Sequence, residues 1–453
     1  MLNYPLIKCG NYDKINNGLL CNEQALYAVR RTTVTSAAEG APFFRCIRIG
    51  LRDKKAGACF QKGRFIKIMI VTPKVRGFIC TTAHPVGCEA AVKAQIDYVK
   101  AQPKVNGPKK VLVVGSSMGY GLATRISAAF SCGAATLGVM FDRPASGNRT
   151  ATSGWYNTMA FEKLATAEGL YAKTVNGDAN SDECKKEVID LIKSDLGKVD
   201  MVVYSLAAPR RTVGDVTYSS VLKTTGSAYT NKTIDLRNNT VSEVTIDPAT
   251  EEEITATVKV MGGEDWEAWI DALKAADVLE DNAVTVAYSY IGPKLTHPMY
   301  FEGSIGRAKA HLFETSKKIT EKYSADGIKA YISVNKALVT QSSAAIPIVP
   351  LYISILYKVM KEIGNHEGCI EQMYRLLAEK LYGGEVKTDN EGRIRLDDWE
   401  MQDDVQAKVT ELWEGISQDT FKSCTDIDGY WEDFYALFGF GLDGVDYEAD
   451  VEI

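Results

Sequence analysis

The chain has 453 residues, of which 45% are hydrophobic and 24% are charged, and its formal net charge is −6 at neutral pH. This composition is that of an ordinary globular protein, which excludes a disordered or collagen-like chain, and the length allows two to four domains or one enlarged α/β domain. The negative charge balance argues against a nucleic-acid partner.

Residues 1–68 differ in charge from the rest of the chain. They contain 12 Lys and Arg against 4 Asp and Glu, whereas residues 69–453 contain 40 against 54. A basic, acid-poor start is typical of an organelle transit peptide, which would direct the protein to the mitochondrial matrix. The alternatives are an unstructured extension, or an upstream frame translated ahead of a start at Met69.

From Met69 onward, apolar strands alternate with helices. This pattern predicts a doubly wound parallel sheet of the Rossmann type, with hairpin and helical insertions, in one enlarged domain over residues 69–453. The predicted strands are residues 109–115, 136–141, 170–175 and 199–205, followed by 283–290 and 328–338 as the last two. The predicted helices are residues 119–132, 155–168, 181–196 and 304–323, with two more between 248 and 276. Residues 217–246 are predicted as a hairpin excursion, and the chain after Pro350 as mostly helical.

The cysteine pattern and the length of the apolar runs indicate the cellular compartment. Ten cysteines are scattered without a Cys-x-x-Cys pair, and four histidines form no close pair, so we expect no metal site. The longest apolar run, residues 344–357, has 14 residues and two prolines, whereas a membrane-spanning helix needs about 20. We therefore expect no membrane span, and we expect reduced thiols in the cytoplasm.

Three glycines, Gly115, Gly119 and Gly121, lie between the strand 109–115 and the helix that follows it. The spacing Gly-x-x-x-Gly-x-Gly is that of short-chain-reductase-like domains, in which the backbone approaches a pyrophosphate at the helix N-terminus. The other interpretation is a strand-to-helix turn that binds nothing. We favour a dinucleotide, and the loop residues expected to contact it include Ser116, Ser117, Met118 and Tyr120.

Asp142 follows the second strand and is preceded by Phe141. An acid at this position accepts hydrogen bonds from the adenosine ribose and disfavours a 2′-phosphate, so we expect NADH rather than NADPH. The alternative is a surface turn acid before Pro144. The ends of the third and fourth strands supply the further expected cofactor contacts, which are Asp178, Ala179, Ser205, Leu206 and Ala207.

Two tyrosine–lysine pairs are candidates for acid–base chemistry. Tyr290 and Lys294 have the Tyr-x-x-x-Lys spacing, but the Gly-Pro between them makes a continuous helix improbable. Tyr300 and Lys309 can converge only if Tyr300 precedes a helix that starts near Ser304, with Ser304 as its N-cap. A tyrosine hydroxyl can donate to a developing oxyanion, and a nearby ammonium would lower the tyrosine pKa. The alternative is a packed aromatic ring and a solvated lysine.

Several longer motifs carry a family resemblance. They are RGFICTTAHPVGCE (76–89), GSSMGYGLATRISAAF (115–130), VVYSLAAPRR (202–211), VMGGEDWEAWI (260–270), YFEGSIGRAK (300–309), ALVTQSSAAIPIVPLY (337–352), NHEGCIEQM (365–373) and LFGFGLDGVDY (437–447). Together they make residues 69–453 similar to the NADH-dependent trans-2-enoyl-CoA reductases and the FabV-type enoyl-acyl-carrier-protein reductases.

The resemblance implies roles for individual residues. The family's Tyr-x8-Lys catalytic pair corresponds to Tyr300 and Lys309, and its second active-site tyrosine corresponds to Tyr290. The segment near the nicotinamide corresponds to Leu338, Val339, Thr340 and Gln341. The family's TQASSAIP is TQSSAAIP here, so Ser343 remains while the next serine is Ala344.

The resemblance also implies a reaction, in which hydride from NADH reaches the β-carbon of an enoyl thioester and Tyr300 stabilises the enolate. Lys309 would anchor the cofactor, and the apolar helix 346–360 would border the acyl chain. The substrate would be an enoyl-CoA such as crotonyl-CoA, or an enoyl-acyl-carrier protein, in fatty-acid synthesis or fermentation. A basic rim for either substrate could come from Lys74, Arg76, Arg210 and Arg211.

Two other functions stay open at this stage. One is a ketoreductase of 3-oxoacyl thioesters that uses Tyr290 and Lys294, and the other is a dinucleotide-binding module without catalysis. The family's C-terminal segment has been described as FAD-binding, but Gly439, Gly441 and Gly444 are too sparse for a flavin loop, so we do not expect FAD. We expect a monomer.

Overall fold

The computed structural model describes residues 57–61, 64–77 and 79–453 of the chain. The strands in these residues are β1 (Gly57–Gln61), β2 (Arg64–Met69), β3 (Val75–Arg76), β4 (Ile79–Cys80), β5 (Lys110–Val114), β6 (Ala135–Met140), β7 (Ala172–Asn176), β8 (Val199–Tyr204), β9 (Arg210–Val213), β10 (Val216–Ser219), β11 (Tyr229–Asp235), β12 (Thr240–Ile246), β13 (Leu279–Ser289), β14 (Lys329–Val334), β15 (Ile394–Arg395) and β16 (Val451–Glu452). The α-helices are α1 (Pro85–Ala101), α2 (Gly119–Cys132), α3 (Ser153–Ala167), α4 (Asp182–Leu191), α5 (Glu251–Met261), α6 (Glu264–Ala275), α7 (Ser304–Lys322), α8 (Val349–Ile363), α9 (Cys369–Arg375), α10 (Asp403–Gly415), α11 (Phe421–Cys424) and α12 (Ile427–Ala436).

A seven-stranded parallel sheet organises the fold. Its strand order is β15-β14-β13-β8-β5-β6-β7, so the chain winds outward from β5 to β7 and then returns to β8 and winds the other way. This order confirms the predicted doubly wound sheet. The direction reverses between β5 and β8, and such a switch point is where ligands bind in open α/β sheets.

The sequence of β5 shows why the sheet has helices on both faces. Val111 and Val113 pack into the cluster with α1, α2 and α3, whereas Leu112 and Val114 pack into the cluster with α4, α6 and α7. Successive side chains of a strand point to opposite faces, so a strand that is apolar throughout must be covered twice. The apolar VLVV run at residues 111–114 therefore specifies a central parallel strand.

Two predictions about the sheet need correction. Residues 328–338 were expected as its last strand, but β15 pairs with β14 and forms a seventh, edge strand. A strand of two residues is too short to show a periodic pattern, so the sequence carried no signal for it. The single hairpin expected over residues 217–246 is two hairpins, because β9 pairs with β10 from Arg210 and β11 pairs with β12.

A third apolar cluster lies around α8, which begins at Val349 rather than at residue 346. Its residues 351–357 are all buried, and Val405 of α10 and Phe434 of α12 belong to the same cluster. A helix that is apolar on nearly every face must be covered on all sides. The C-terminal helices provide that cover.

The described N-terminal residues form strands. β1 pairs antiparallel with β2, and β2 in turn pairs with the C-terminal strand β16, with Met69 opposite Val451. The rest of the segment expected as an extension, residues 1–56 and 62–63, lies outside the described residues. Within the described residues, no helix is long and apolar enough to cross a membrane, and no group of His, Cys, Asp and Glu side chains could hold a metal ion.

Candidate active site

The glycine loop after β5 forms one end of the site. Gly115 has φ of +86°, and a Cβ on it would overlap the Ser205 carbonyl oxygen at the end of β8. A Cβ on Gly121, in the first turn of α2, would overlap the Gly115 carbonyl oxygen. Only glycine lets these three backbone segments meet, and the meeting leaves the α2 N-terminus free to face an anion.

A cavity of about 430 Å³ opens at this loop and follows the carboxyl edge of the sheet. Most of the expected site residues line it, namely Gly115, Ser117, Met118, Gly119, Tyr120, Phe141, Asp142, Ser205, Leu206, Ala207, Tyr290, Tyr300, Lys309, Leu338, Thr340 and Gln341. Residues that are distant in the sequence thus line one continuous cavity. Its volume is in the range of small-ligand sites.

Five expected cofactor residues do not line the cavity. The Ser116 hydroxyl is buried against the Val139 carbonyl, and Gly121 lies beneath the loop. The Ala179 carbonyl accepts the indole N–H of Trp269, and the Val339 N–H donates to the Tyr357 hydroxyl. The fifth, Asp178, is exposed beyond β7.

Asp142 lies where a ribose-binding acid is expected. Asn176 of β7 holds its backbone from both sides, since the Asn176 Oδ1 accepts the Asp142 N–H at 2.9 Å and the Asn176 amide donates to the Asp142 carbonyl at 2.8 Å. The carboxylate packs against Gly154 in the first turn of α3 and close to Ser117. Its position is therefore set by the Asn176 side chain and by packing against Gly154.

Tyr300 ends a turn that precedes α7. Its N–H donates to the Thr296 carbonyl at 2.8 Å, and a Cβ on Gly306 would overlap the Phe301 carbonyl, so the glycine lets the turn pack onto the helix. The N-cap of α7 is Gly303 rather than the expected Ser304, whose hydroxyl instead donates to the Val221 carbonyl. Because Tyr300 lies outside the helix, it can reach the same cavity as Lys309.

The charge state of the pair differs from the expectation. Burial raises the pKa of the Tyr300 hydroxyl, and it lowers the pKa of Lys309 to about 8. The prediction that Lys309 lowers the pKa of Tyr300 is therefore wrong, because burial is the cause that acts on the Tyr300 hydroxyl. The Lys309 ammonium donates to the Tyr288 carbonyl at 2.9 Å. Tyr300 stays protonated at neutral pH, and its hydroxyl has no hydrogen-bond partner in the described part of the chain.

The alternative pair does not form. Lys294 is exposed in the turn after Pro293 and does not line the cavity. Tyr290 does line it, and its ring contacts the Tyr300 ring edge to face with centroids 5.0 Å apart. The Tyr290 hydroxyl donates to Glu400 rather than facing a lysine. The Tyr-x-x-x-Lys spacing is therefore coincidental.

Ser343 closes the loop after β14. Its hydroxyl donates to the Leu338 carbonyl at 2.7 Å and accepts the Thr340 N–H at 2.9 Å. Ala344, at the position where the chain departs from the family's serine, is buried in the apolar cluster around α8. The loop is thus held by the serine that remains.

Twelve lining residues were not assigned to the site from the sequence. Those beside predicted residues could have been found by extending each strand end, and they include Met140, Tyr204, Tyr288, Ser289, Asn335, Lys336 and Ala337. Met261, Leu312, Ser342 and Leu437 carried no separate signal, and Ser343 was recognised in the TQSSAAIP motif without a site role. Ile346, Val349 and Ile353 fall within the apolar segment that was expected to border the acyl chain.

One expectation at the edge of the site needs correction. Arg211 cannot serve a basic rim, because its buried guanidinium donates to the Lys259 carbonyl at 2.8 Å and pairs with Glu264.

The glycine run near the C-terminus packs against the start of α1, where a Cβ on Gly439 would overlap the Cys88 N–H. The backbone at the start of α1 therefore fills the space beside Gly439.

Three family models match this chain. Residues 70–147 match the NAD(P)H binding domain of trans-2-enoyl-CoA reductase, and residues 149–382 match the trans-2-enoyl-CoA reductase catalytic region. Residues 388–451 match a model described as the enoyl reductase FAD binding domain. The last name describes this segment of the family.

Full-length relatives agree with these matches. The chain is 60% identical over 388 residues to the trans-2-enoyl-CoA reductase [NADH] of Ruminiclostridium cellulolyticum, covering 85% of this chain and 98% of that protein. It is 59% identical over 392 residues to the enoyl-[acyl-carrier-protein] reductase [NADH] of Coxiella burnetii, covering 85% and 96%. The crystal structure of the Clostridium acetobutylicum trans-2-enoyl-CoA reductase in complex with NADH superposes with a TM-score of 0.83 at 46% identity, covering 84% and 98%. This chain belongs to the trans-2-enoyl-CoA reductase family.

Proposed function

We propose that this protein reduces the trans-2 double bond of enoyl thioesters with NADH and releases the saturated acyl thioester. The observation that carries the proposal is the cavity itself. It joins a glycine loop suited to a dinucleotide with a protonated tyrosine whose hydroxyl has no partner in the described residues. We further propose that residues 69–453 act as a single reductase domain.

The chain's residues fit NADH along the whole cavity. The loop from Gly115 to Gly121 and the α2 N-terminus suit the pyrophosphate, and Asp142 suits a ribose without a 2′-phosphate. Lys309 would hold the nicotinamide ribose, and Thr340 and Gln341 would border the nicotinamide. When bound there, NADH supplies the hydride that is added to the β-carbon of the substrate.

Tyr300 would act where negative charge develops. Addition of hydride to the β-carbon moves the double-bond electrons toward the thioester oxygen, and a hydroxyl donor at that oxygen stabilises the resulting enolate. The raised pKa of Tyr300 keeps the donor proton in place at neutral pH. A proton from Tyr300 or from water then adds to the α-carbon, so that one hydride and one proton saturate the bond.

The acyl chain would lie along α8. Val349 and Ile353 are one helical turn apart and, with Ile346, give the cavity an apolar wall. Crotonyl-CoA is the substrate that we propose first, with longer enoyl-CoA and enoyl-acyl-carrier-protein thioesters as the next candidates. Because the Arg211 guanidinium is buried, it cannot bind CoA or an acyl-carrier protein at the rim of the cavity. The exposed basic residues proposed for that role are Lys74, Arg76 and Arg210.

The setting of the enzyme is also proposed rather than observed. We propose a monomer in the cytoplasm that serves fatty-acid synthesis or fermentation. The alternative compartment, the mitochondrial matrix, depends on residues 1–68, most of which lie outside the described residues.

The test follows NADH oxidation by the full chain with crotonyl-CoA, in parallel with NADPH and with a Tyr300→Phe variant. We expect NADH-specific turnover that falls about a hundredfold or more in the variant, which is the usual contribution of a positioned acid. Tyr374→Phe is the matched control, because the Tyr374 hydroxyl donates to the Pro103 carbonyl outside the cavity. NADH binding without turnover would rule out the short-chain enoyl-CoA and leave the longer thioesters to be tried.

A further inference from the structure

Glu400 is a buried carboxylate directly behind the substrate end of the cavity. It is fully buried, and three donors converge on it. Its Oε1 accepts the Tyr290 hydroxyl at 3.0 Å and the Tyr352 hydroxyl at 2.7 Å, and its Oε2 accepts the Ala337 N–H at 2.7 Å. Burial raises the pKa of the Glu400 carboxyl, whereas the Ala337 N–H, the Lys336 charge and the Tyr352 hydroxyl favour its ionised form, which only accepts hydrogen bonds.

These three donors come from separate parts of the fold. Tyr290 follows β13, Ala337 follows β14, and Tyr352 belongs to α8. Tyr290 and Ala337 line the cavity, whereas Tyr352 does not. Glu400 itself follows β15, so a residue of the C-terminal region ties together two walls of the site and the helix behind them.

Counting protons separates the two cavity tyrosines. A phenol has a single O–H, and Tyr290 gives it to Glu400, so only oxygen lone pairs remain to face the cavity. The Tyr300 hydroxyl has no partner in the described residues and keeps its proton for a ligand. The Tyr290 ring meets the Tyr300 ring edge to face, which makes the position of one ring depend on the other.

We propose that Glu400 is a positioning residue that holds Tyr290 by its hydroxyl proton, fixes the Tyr290 ring against Tyr300, and so leaves Tyr300 as the donor to the substrate. The proposal rests on the enoyl-thioester reduction described above for the identity of that substrate. Glu400 touches neither substrate nor cofactor in this arrangement, and it acts only through Tyr290.

Glu400→Gln tests the bond with little change in volume. The Ala337 N–H can only donate, so the new amide oxygen stays with it and the NH₂ group faces the two tyrosines. The Tyr290 hydroxyl must then accept rather than donate, which removes a charge-assisted bond and frees its proton. We expect kcat with crotonyl-CoA to fall about tenfold, the scale of one such bond, with the KM for NADH unchanged.

A double-mutant cycle separates positioning from general stability. In a Tyr290→Phe background, Glu400→Gln should cause no further loss of kcat, because the amide oxygen keeps the bond to Ala337 and the bond to Tyr290 is already gone. Tyr352→Phe is the matched control, since it removes the other bond to the same oxygen away from the cavity, and kcat should stay within about twofold. An equal loss in the Tyr290→Phe background, or an equal loss from Tyr352→Phe, would overturn the proposal. If Glu400→Gln does not fold, the contrast between the two tyrosine variants decides.

A spectroscopic readout keeps this test independent of turnover. In protein labelled with ¹³C at the tyrosine ζ-carbon, the Tyr290 signal is the one that Tyr290→Phe removes. We expect that signal to move in Glu400→Gln, because the carbon that carries the hydroxyl senses whether the hydroxyl donates to a carboxylate. An unmoved Tyr290 signal would overturn the proposal, whereas absent turnover with a moved signal would count only against the reaction.

Discussion

The two ends of the cavity are built by different means. At the cofactor end the walls are backbone, because Gly115, Gly121 and the Ser205 carbonyl meet without intervening side chains. Where the nicotinamide and the substrate would meet, the walls are side chains, and the ionisable groups Lys309 and Glu400 lie around the tyrosines. The first end lies largely within one short stretch of chain, whereas the hydrogen bond from Tyr290 to Glu400 spans 110 residues.

This difference decides how each end tolerates change. Closely packed backbone segments leave no room for a side chain, so one added methyl group is enough to displace them. A side-chain site depends on charges that burial makes sensitive to pH and to the loss of a partner. We therefore expect a larger side chain at the first end to act by steric overlap. At the second end we expect changes in the charge of ionisable side chains to matter most.

The largest effect on NADH affinity is expected from Gly121→Ala, which adds a methyl group beneath the phosphate loop. Its Cβ would overlap the Gly115 carbonyl oxygen, and overpacking of this kind costs about 1–3 kcal/mol. Since the displaced group is the loop itself, we expect NADH affinity, measured by fluorescence titration, to fall about 10- to 100-fold. Gly415→Ala, in a helix position where a Cβ meets nothing within 4 Å, should leave NADH affinity unchanged. Equal affinities for both variants would refute a backbone-built cofactor end.

A smaller effect is expected from pH at Lys309. Burial lowers the pKa of this lysine from its ordinary 10.5 to about 8, so the ammonium is lost as pH rises through about 8. The charged form is the one that attracts the cofactor, and we expect NADH affinity to fall about tenfold between pH 7 and pH 9.

The same titration with Lys309→Arg isolates this lysine. A guanidinium stays charged over the whole range, so the fall should disappear. Lys336 also has a pKa lowered to about 8 by burial, and in Lys309→Arg it is the lysine of the cavity that still titrates there. A fall that persists in Lys309→Arg would assign the effect to Lys336 and contradict the role of Lys309.

The smallest effect is expected from Asp142→Asn, which tests the one selective side chain of the backbone-built end. A carboxylate repels a 2′-phosphate, and two unit charges 4 Å apart interact by about 1 kcal/mol in water. We therefore expect the ratio of kcat/KM for NADPH over NADH to rise about fivefold, with NADH turnover little changed. An unaltered ratio would mean that the preference for NADH is set elsewhere in the loop.

Much of the fold could be predicted because its signals are local. The limits of α2 were predicted to the residue, since an apolar strand, a glycine loop and a left-handed Gly133 at the C-cap mark both ends. The helix predicted over residues 181–196 begins at the N-cap of α4, where the Ser181 hydroxyl accepts the Cys184 N–H. The edge strand β15 could not be predicted, because two residues gain strand geometry only from the neighbour that they pair with.

The candidate site divides in the same way. The glycine loop, Asp142 and the Tyr300–Lys309 pair were predicted from spacing and resemblance, and they line one cavity. Glu400 was not predicted, because a glutamate between apolar residues gives no indication of which donors will meet it.

The sequence alone thus determined the parallel sheet, the glycine loop and the type of cofactor, because each depends on residues that are neighbours along the chain. Only the tertiary structure decided which groups are charged and which protons are free. Burial raises the pKa of Tyr300 and lowers that of Lys309, and burial is a property of what packs around a residue. The partner of Tyr290, and with it the division of roles between the two tyrosines, arises from contacts between segments that the chain brings together only when it folds.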